Sequence, residues 1–401
     1  MSISYQTEGS EHMATFTIAS RTIYGEHALS EAIPFLQKYG KRALIVTGKH
    51  VRHSIMMEQL KETLGEAEIS YAIFDGITGE PTDIMIGEGS RIYKDENCGF
   101  VIGIGGGSSL DSAKAIAAMS ANCGKIADYA GKEISGCLPP IVAIPTTAGT
   151  GSETTCYTVV TDTEGGRKLL LKGEALVPSL AVLDPFFSME MPAKVTAGTG
   201  LDALTHAVEA YTSKKAIPLT NVLAVSAVKR ILKYLPRAYR DGSDLKAREE
   251  MMLAAYEAGI CIQNSSVTVV HGMSRPIGAL FHIPHGISNA MLLMVCLSYV
   301  AEKVPAPFAS LAREVGLTED KDDRRTAAVL LEAIRDTVRA CEVATLADYG
   351  VDRKDFTSAI PKMAKDAMDS GSPLNTRCEI RVEDCEKIYS ILLQEQERER
   401  R

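Results

Sequence analysis

The sequence predicts an α/β plus all-α protein of two domains, with a parallel β-sheet in residues 1–190 and helices alone in residues 191–401. The chain of 401 residues is longer than one hydrophobic core usually supports. Up to about residue 190, short β-branched runs alternate with helical patterns, which is typical of βαβ units. Beyond that point the apolar spacing indicates only helices, so the two halves differ in architecture.

Five apolar runs predict the strands of the sheet, and helical patterns such as 28–40 and 54–65 lie beside them. Ligands of parallel sheets bind at the carboxyl ends of the strands, so the loops that follow these runs are candidate binding loops. The predicted strands cover residues 42–48, 70–76, 99–107, 139–147 and 179–185.

The second half contains six predicted helices, recognised by apolar spacing and by capping residues such as Ser243. The stretch "MPAKVTAGTG" (191–200) is predicted to be a loop at the domain junction. Pro276 and Gly278 are expected to break the segment that follows His271. The six helices are predicted at residues 201–213, 220–238, 244–262, 286–303, 324–345 and 383–396.

The composition is that of a globular cytoplasmic enzyme. With 43 basic and 51 acidic side chains the net charge is −8, which gives no basic surface for nucleic acid or an anionic membrane. No run reaches the roughly twenty apolar residues that a membrane helix needs. The nine cysteines include no C-x-x-C pair and are expected to be reduced thiols. A small molecule is therefore the expected partner.

A glycine-rich turn follows the third predicted strand, in "VIGIGGGSSLDSAK", before a helix that should begin near Leu110. Gly105, Gly106 and Gly107 would let a pyrophosphate approach the main chain, and Ser108 adds a hydroxyl donor. The free N–H groups and the dipole of a helix N-terminus both favour an anion. A tight turn without a ligand is the alternative, since neither a G-x-G-x-x-G nor a Walker motif is present.

A second polar loop, "IPTTAGTGSE" (144–153), follows the fourth predicted strand. Thr146, Thr147 and Thr150 are suited to bind a ribose or a carboxamide, although a plain polar loop would have the same composition. Two such loops at the carboxyl ends of strands in one sheet converge, and together they favour a nucleotide.

Four side chains in the second half form a candidate metal site. Asp202 and His206 are four positions apart in an apolar helix, so they share one face, although a surface hydrogen bond is the commoner reason for such a pair. His271 and His285 can supply two more ligands, and the set suits Fe²⁺, Zn²⁺, Mn²⁺ or Co²⁺. His282 is expected to line the pocket rather than bind the metal, because Pro284 separates it from His285.

With these motifs the sequence resembles the iron-type, metal-dependent (group III) alcohol dehydrogenases. The further motifs "IYGEHAL", "AVLDP", "MPAKVTAGTGLDALTHAVEAY", "HGMSRPIGALFHIPHG" and "LNTRCEIRVEDCEKI" occur in the family's order and at its spacing. The resemblance implies a Rossmann-like N-terminal domain that binds NAD, an all-helical C-terminal domain and an active site between them. A homo-oligomer, as a dimer or a higher assembly, is also expected from the family.

The resemblance also implies a reaction and a role for each matching residue. A nicotinamide hydride reduces an aldehyde reversibly to a primary alcohol, and one divalent metal, Fe²⁺ or Zn²⁺, polarises the carbonyl oxygen. The implied metal ligands are Asp202, His206, His271 and His285; the pyrophosphate and ribose contacts are Gly106, Gly107, Ser108 and Asp111; further cofactor contacts are Thr146, Thr147, Thr150 and Lys168.

Two positions depart from the family pattern. Gly48, followed by Lys49, stands where many members carry an acidic residue that binds the adenosine ribose, so NADP becomes possible beside NAD. Arg275 stands where many members read H-x-x-x-H, and its pKa is too high for proton exchange near neutral pH. The proton must then come from water, a ribose hydroxyl or His282, which makes His282 the candidate catalytic residue.

Arg275 has two interpretations. It can pair with a carboxylate and support the loop, or its guanidinium can bind an oxyanion of the substrate bidentately. The second hypothesis predicts a short aldehyde with an anionic tail, with sulfoacetaldehyde or phosphonoacetaldehyde favoured over succinic semialdehyde. The alternatives are a dehydrogenase of neutral short-chain alcohols or diols, a metal- and NAD-dependent lyase like dehydroquinate synthase, and a binding protein without catalysis.

Overall fold

The computed structural model describes residues 15–399, which form a six-stranded sheet, a separate two-stranded hairpin and a large helical region. The strands are β1 (Thr22–Tyr24), β2 (Arg42–Val46), β3 (Ser70–Phe74), β4 (Phe100–Gly105), β5 (Ile141–Pro145), β6 (Tyr157–Asp162), β7 (Arg167–Lys172) and β8 (Leu180–Leu183). In the first half the helices are α1 (Ala28–Glu31), α2 (Ile33–Tyr39), α3 (Lys49–Arg52), α4 (Ile55–Glu66), α5 (Asp83–Asp95) and α6 (Gly107–Ala121).

Nine further helices form the second half of the described chain. They are α7 (Ala193–Thr212), α8 (Pro218–Arg240), α9 (Leu245–Ser265), α10 (Val269–Phe281), α11 (His285–Lys303), α12 (Pro305–Val315), α13 (Asp323–Ala340), α14 (Arg353–Asp369) and α15 (Val382–Glu399). The predicted fold class is confirmed, because a parallel sheet with flanking helices is followed by helices alone.

The large sheet is parallel throughout and is covered on both faces, which explains its nearly continuous apolar strands. Alternate residues of β2 belong to different cores, because side chains alternate across a strand. Ile45 packs in the core beneath α1, α2 and α4, whereas Leu44 packs in the core beneath α5 and α6.

The strand order β1-β8-β5-β4-β2-β3 places a topological switch between β2 and β4. The chain leaves β2 toward one edge of the sheet through β3, and leaves β4 toward the other edge through β5. Open α/β sheets bind ligands at this point, outside the carboxyl ends of the strands. Gly48 follows β2 and Gly106 follows β4, so both candidate positions lie at the switch.

Two local predictions in the second half are wrong. Residues 191–200 are not a loop, because α7 begins at Ala193 and buries Thr196 and Ala197 in the helical core region. Likewise α10 continues through Pro276 and Gly278, where burial of Val270 and Ile277 offsets the lost backbone hydrogen bond. Tertiary packing outweighs local propensity in both segments.

Several further elements differ from the prediction. The edge strand β1, the hairpin of β6 and β7, and the helices α12 and α14 were not predicted. In residues 15–399 no helix alone has the length and apolar composition to cross a membrane, and only α11 and α12 taken together, across a bend of 112°, meet those two criteria.

Candidate active site

The glycine-rich turn connects β4 to α6 and leaves the backbone open. Gly105 has a φ of 144°, a conformation that favours glycine, and a Cβ there would lie 2.6 Å from the Ser109 hydroxyl oxygen. Gly106 is the N-cap of α6, which begins at Gly107, three residues before the predicted start. Ser108 lies in the first turn, so the turn exposes helix N–H groups at the carboxyl end of the sheet.

The threonine loop lies directly against this turn. A Cβ on Gly107 would be 2.8 Å from Thr150 Cγ2, and one on Gly106 would be 3.4 Å from Thr147 Cγ2. The Thr146 backbone N–H donates to the Gly105 carbonyl at 2.9 Å. The structure therefore brings the two predicted cofactor loops into contact at the switch between strands.

Asp111 and Lys168 are placed among protein partners. The Asp111 carboxylate accepts hydrogen bonds from the Ser152 hydroxyl at 2.5 Å and from the Val159 N–H at 3.1 Å. Lys168, on β7, donates to Glu80 at 2.7 Å. Asp111 thus connects α6 to the threonine loop and to β6. A direct cofactor contact for either residue stays a prediction.

The four predicted metal ligands come together from three helices. Asp202 and His206 lie on α7, His271 on α10 and His285 at the first position of α11. The Asp202 Oδ1 atom lies 3.4 Å from the Nε2 atom of His271, 3.7 Å from that of His285 and 3.8 Å from that of His206. The rings of His206 and His271 stack with centroids 4.5 Å apart.

The distances among Asp202, His271 and His285 fit a common metal ion, because one ligand atom of each lies within 4.8 Å of the others. His206 lies beside this group through its 3.8 Å contact with Asp202 Oδ1. Ligand atoms about 2.1 Å from one tetrahedral ion are separated by about 3.4 Å. The donor set of one carboxylate and three imidazoles suits Fe²⁺ or Zn²⁺. Asp202, His206 and His271 are buried, whereas the His285 side chain is 45% exposed, so the cluster reaches solvent at His285. A substrate oxygen can approach from that side.

Close packing of two helices places His285 over α7. A Cβ on Gly286 would lie 2.4 Å from the Gly198 carbonyl oxygen, so only glycine fits there. This contact between α7 and α11 brings the first residue of α11 to the face that carries Asp202 and His206.

The electrostatics of the cluster suit metal binding. Burial lowers the pKa of His206 and of His285 to about 4, although Asp202 opposes the shift. Burial alone would raise the pKa of Asp202, but the imidazoles, His206 above all, hold it well below its ordinary value. At neutral pH the carboxylate is therefore charged and these two imidazoles offer lone pairs.

Two residues that the sequence analysis missed contact the ligands. Glu209 is fully buried, and its Oε2 lies 2.6 Å from His271 Nδ1. The Asn289 amide donates to Asp202 Oδ1 at 2.6 Å. The sequence does contain an indication of Glu209, because positions 202, 206 and 209 lie on one face of a helix. Asn289 lies four positions after His285, and this spacing likewise places the two residues on one helical face.

Arg275 lies one helical turn after His271 on α10, and its Nη1 donates to the Ser372 hydroxyl at 3.0 Å. Burial is the main cause of the lowered pKa of His285, and the positive charge of Arg275 lowers it further. The guanidinium is therefore close to the cluster. His282 ends α10 in the left-handed conformation and is exposed, whereas His285 begins the next helix. Its role as proton donor stays a prediction.

The chain is similar to proteins of a known family over most of its length. Residues 19–185 match the family model of the iron-containing alcohol dehydrogenases, and residues 196–393 match the model of the C-terminal domain of that family. The NAD-dependent methanol dehydrogenase of Bacillus methanolicus is 39% identical over 325 residues, covering 80% of this chain and 84% of that protein.

Solved structures give the same result. A crystal structure of 1,3-propanediol oxidoreductase superimposes with a TM-score of 0.91 at 34% identity, covering 95% of this chain and 100% of the other. The sulfoacetaldehyde reductase of Bifidobacterium kashiwanohense, solved with NAD⁺, gives a TM-score of 0.84 at 27% identity, covering 95% and 99%. Because both family models match and together cover most of its length, the chain belongs to the iron-containing alcohol dehydrogenase family and is a metal-containing alcohol dehydrogenase.

Proposed function

We propose that the enzyme uses NADH or NADPH to reduce a short aldehyde with an anionic tail, and that sulfoacetaldehyde or phosphonoacetaldehyde is the best match. One observation carries the proposal: in the described part of the chain, the Arg275 guanidinium forms its hydrogen bond with the neutral Ser372 hydroxyl and makes no ion pair with a carboxylate. A cation beside a metal site is costly unless an anion compensates it.

The surroundings of Arg275 support an anion from solution. Its side chain is exposed, yet enough protein surrounds it that burial lowers the pKa of the guanidinium, while the charge of Glu209 acts in the opposite direction without forming an ion pair in the described chain. Such a recessed fork can bind two oxygens of a sulfonate, phosphonate or carboxylate at once. The similar sulfoacetaldehyde reductase of B. kashiwanohense acts on an aldehyde of this kind, as its name states.

Each part of the site has a distinct task in this proposal. A divalent metal, when bound to Asp202, His206, His271 and His285, supplies Lewis-acid polarisation of the carbonyl oxygen. The glycine turn and the threonine loop bind the cofactor, and Arg275 orients the tail so that the aldehyde carbon faces the nicotinamide. His282, water or a ribose hydroxyl provides the proton to the product oxygen.

The test of this function is a panel of aldehydes with purified enzyme that has been reconstituted with metal. We expect oxidation of NADH or NADPH that a chelator stops, with kcat/KM higher for two-carbon anionic aldehydes than for neutral aldehydes of equal length. A higher value for the neutral members would contradict the anionic-substrate proposal, while loss of all aldehyde reduction would contradict the dehydrogenase function itself.

Neutral alcohols or diols are the second candidate substrates. They are favoured by the similarity to the methanol dehydrogenase and to the 1,3-propanediol oxidoreductase. The same panel, extended by methanol, ethanol and 1,3-propanediol in the oxidative direction, decides between the two classes. We also propose a cytoplasmic homo-oligomer that carries Fe²⁺ or Zn²⁺, which light scattering and elemental analysis of the purified protein would test.

Position 48 is expected to control the choice between NADH and NADPH. Gly48 ends the loop after β2, and the exposed Lys49 follows it. We expect Gly48→Asp to raise the KM for NADPH at least about tenfold relative to NADH, because two negative charges about 4 Å apart repel by several kcal/mol. The measurement is KM for both cofactors.

Gly48→Ala is the matched control for this substitution. A Cβ at position 48 would lie 2.9 Å from the Ile77 carbonyl oxygen, so any side chain there is crowded. The alanine variant carries the crowding without the charge, and it should change both KM values together. Equal NADH-to-NADPH ratios in the two variants would remove position 48 from cofactor selection.

A further inference from the structure

Glu209 is a buried carboxylate that the reaction does not use directly. Its side chain is fully buried on α7, and its oxygens accept hydrogen bonds from the Thr268 hydroxyl and from the Val270 N–H at 2.7 Å. Its ion-pair partner in the described chain is His271, whose Nδ1 lies 2.6 Å from Oε2. Burying a charged carboxylate costs free energy, so a buried carboxylate is expected to serve a structural or functional role.

The contact with Glu209 selects one tautomer of His271. In the neutral ring, donation from Nδ1 to the carboxylate leaves the lone pair on Nε2. That Nε2 atom is the one directed at the cluster, 3.4 Å from Asp202 Oδ1. Glu209 thus fixes both the orientation of the ring and the atom that a metal ion requires.

Asn289 acts on the neighbouring ligand from a different helix. It is fully buried on α11, and its Nδ2 lies 2.6 Å from Asp202 Oδ1 and 3.2 Å from the Nε2 atoms of both His271 and His285. A neutral amide can hold a carboxylate without adding a positive charge next to a cation site. Among residues 15–399 the buried Asn289 Oδ1 has no hydrogen-bond partner, so the hydrogen-bond contacts of this side chain within that range are with the cluster.

We propose that Glu209 and Asn289 are positioning residues of the metal site, which fix His271 and Asp202 in the geometry that binds the ion. Neither residue needs to touch the metal or the substrate. Glu209 contacts His271 from α7, and Asn289 contacts Asp202 from α11. This inference concerns metal affinity and is independent of which aldehyde the enzyme reduces.

The test is the dissociation constant for Zn²⁺, measured on chelator-stripped full-length protein by competition with a chromophoric chelator. We expect Glu209→Gln and Asn289→Ala each to weaken binding about 10- to 100-fold, the usual effect of losing such a partner. Thr205→Val on α7 and Ser288→Ala on α11 are the matched controls, because each removes a buried hydroxyl bonded only to its own helix. The controls should bind Zn²⁺ like the unmodified protein.

A second measurement separates positioning from a general loss of structure. In stripped protein labelled with ¹⁵N-histidine, the His271 signal should report a protonated Nδ1, and Glu209→Gln should alter that signal more than Thr205→Val does. An unchanged dissociation constant in both test variants overturns the proposal. The proposal is also overturned if, across the two test variants and the two controls, the loss of Zn²⁺ affinity simply parallels the loss of thermal stability. If Glu209→Gln does not fold, Asn289→Ala still decides the role of the amide.

Discussion

Replacing His206 by alanine is expected to lower kcat/KM for aldehyde reduction by about 10³-fold or more. The variant removes one of the three imidazole nitrogens around Asp202 Oδ1, and Lewis-acid stabilisation of the developing charge contributes several kcal/mol. Each 1.36 kcal/mol corresponds to a factor of about ten in rate. Steady-state kinetics together with the metal content of the purified variant provide the measurement.

Thr205→Val is the control for this experiment. Thr205 is a buried neighbour on the same helix, and its hydroxyl bonds to the Leu201 carbonyl oxygen rather than to the cluster. This control should retain its metal and most of its activity. Removal of the metal by a chelator should reproduce the loss in unmodified enzyme, and Fe²⁺ or Zn²⁺ should restore activity. A His206→Ala enzyme with normal activity would show that the cluster is not the catalytic metal site.

Arg275→Ala is expected to reduce kcat/KM for anionic aldehydes by about 10²- to 10³-fold and to leave short neutral aldehydes nearly unchanged. Loss of one partner from a desolvated charge pair costs about 2–5 kcal/mol. In the described chain the Arg275 side chain makes one hydrogen bond, from Nη1 to the Ser372 hydroxyl. Its other N–H groups therefore remain as donors for the substrate. The ratio of kcat/KM for matched anionic and neutral aldehydes is the readout.

Two more variants sharpen this experiment. Arg275→Lys keeps the charge but loses the planar fork, so we expect an intermediate loss for sulfonates and phosphonates. Ser372→Ala removes the neutral partner and should have a smaller effect in the same direction, because the guanidinium becomes less well oriented. If Arg275→Ala slows neutral and anionic aldehydes equally, the arginine supports the structure and does not select the substrate.

Much of the fold was predictable from the spacing of apolar residues along the chain. Apolar runs of the right length located β2, β3, β4, β5 and β8 to within a few residues, because strands buried on both faces are continuously apolar. Helix spacing located most of the second half in the same way. The short strand β1 and the hairpin of β6 and β7 lack such a signal, since their burial pattern is mixed or partly exposed.

The local errors have one physical cause. The threonines and glycines of residues 193–200, and Pro276, disfavour a helix, yet α7 and α10 run through these positions and pack against other helices. The burial of neighbouring apolar side chains exceeds the penalty of an unfavourable residue. Burial depends on partners that are distant along the chain, so a reading of local pattern misses it.

For the active site, the sequence by itself determined the residue types and the family: the glycine turn, the threonine loop and the candidate ligands Asp202, His206, His271 and His285 were all recognisable as motifs. Only the tertiary structure decided that these four candidate ligands come together from three helices, that Glu209 and Asn289 contact two of them, and that Arg275 contacts a serine instead of a carboxylate. The physical reason is that motifs record side-chain chemistry and spacing within one segment, whereas distances between segments arise from the packing of α7, α10 and α11 around a shared core.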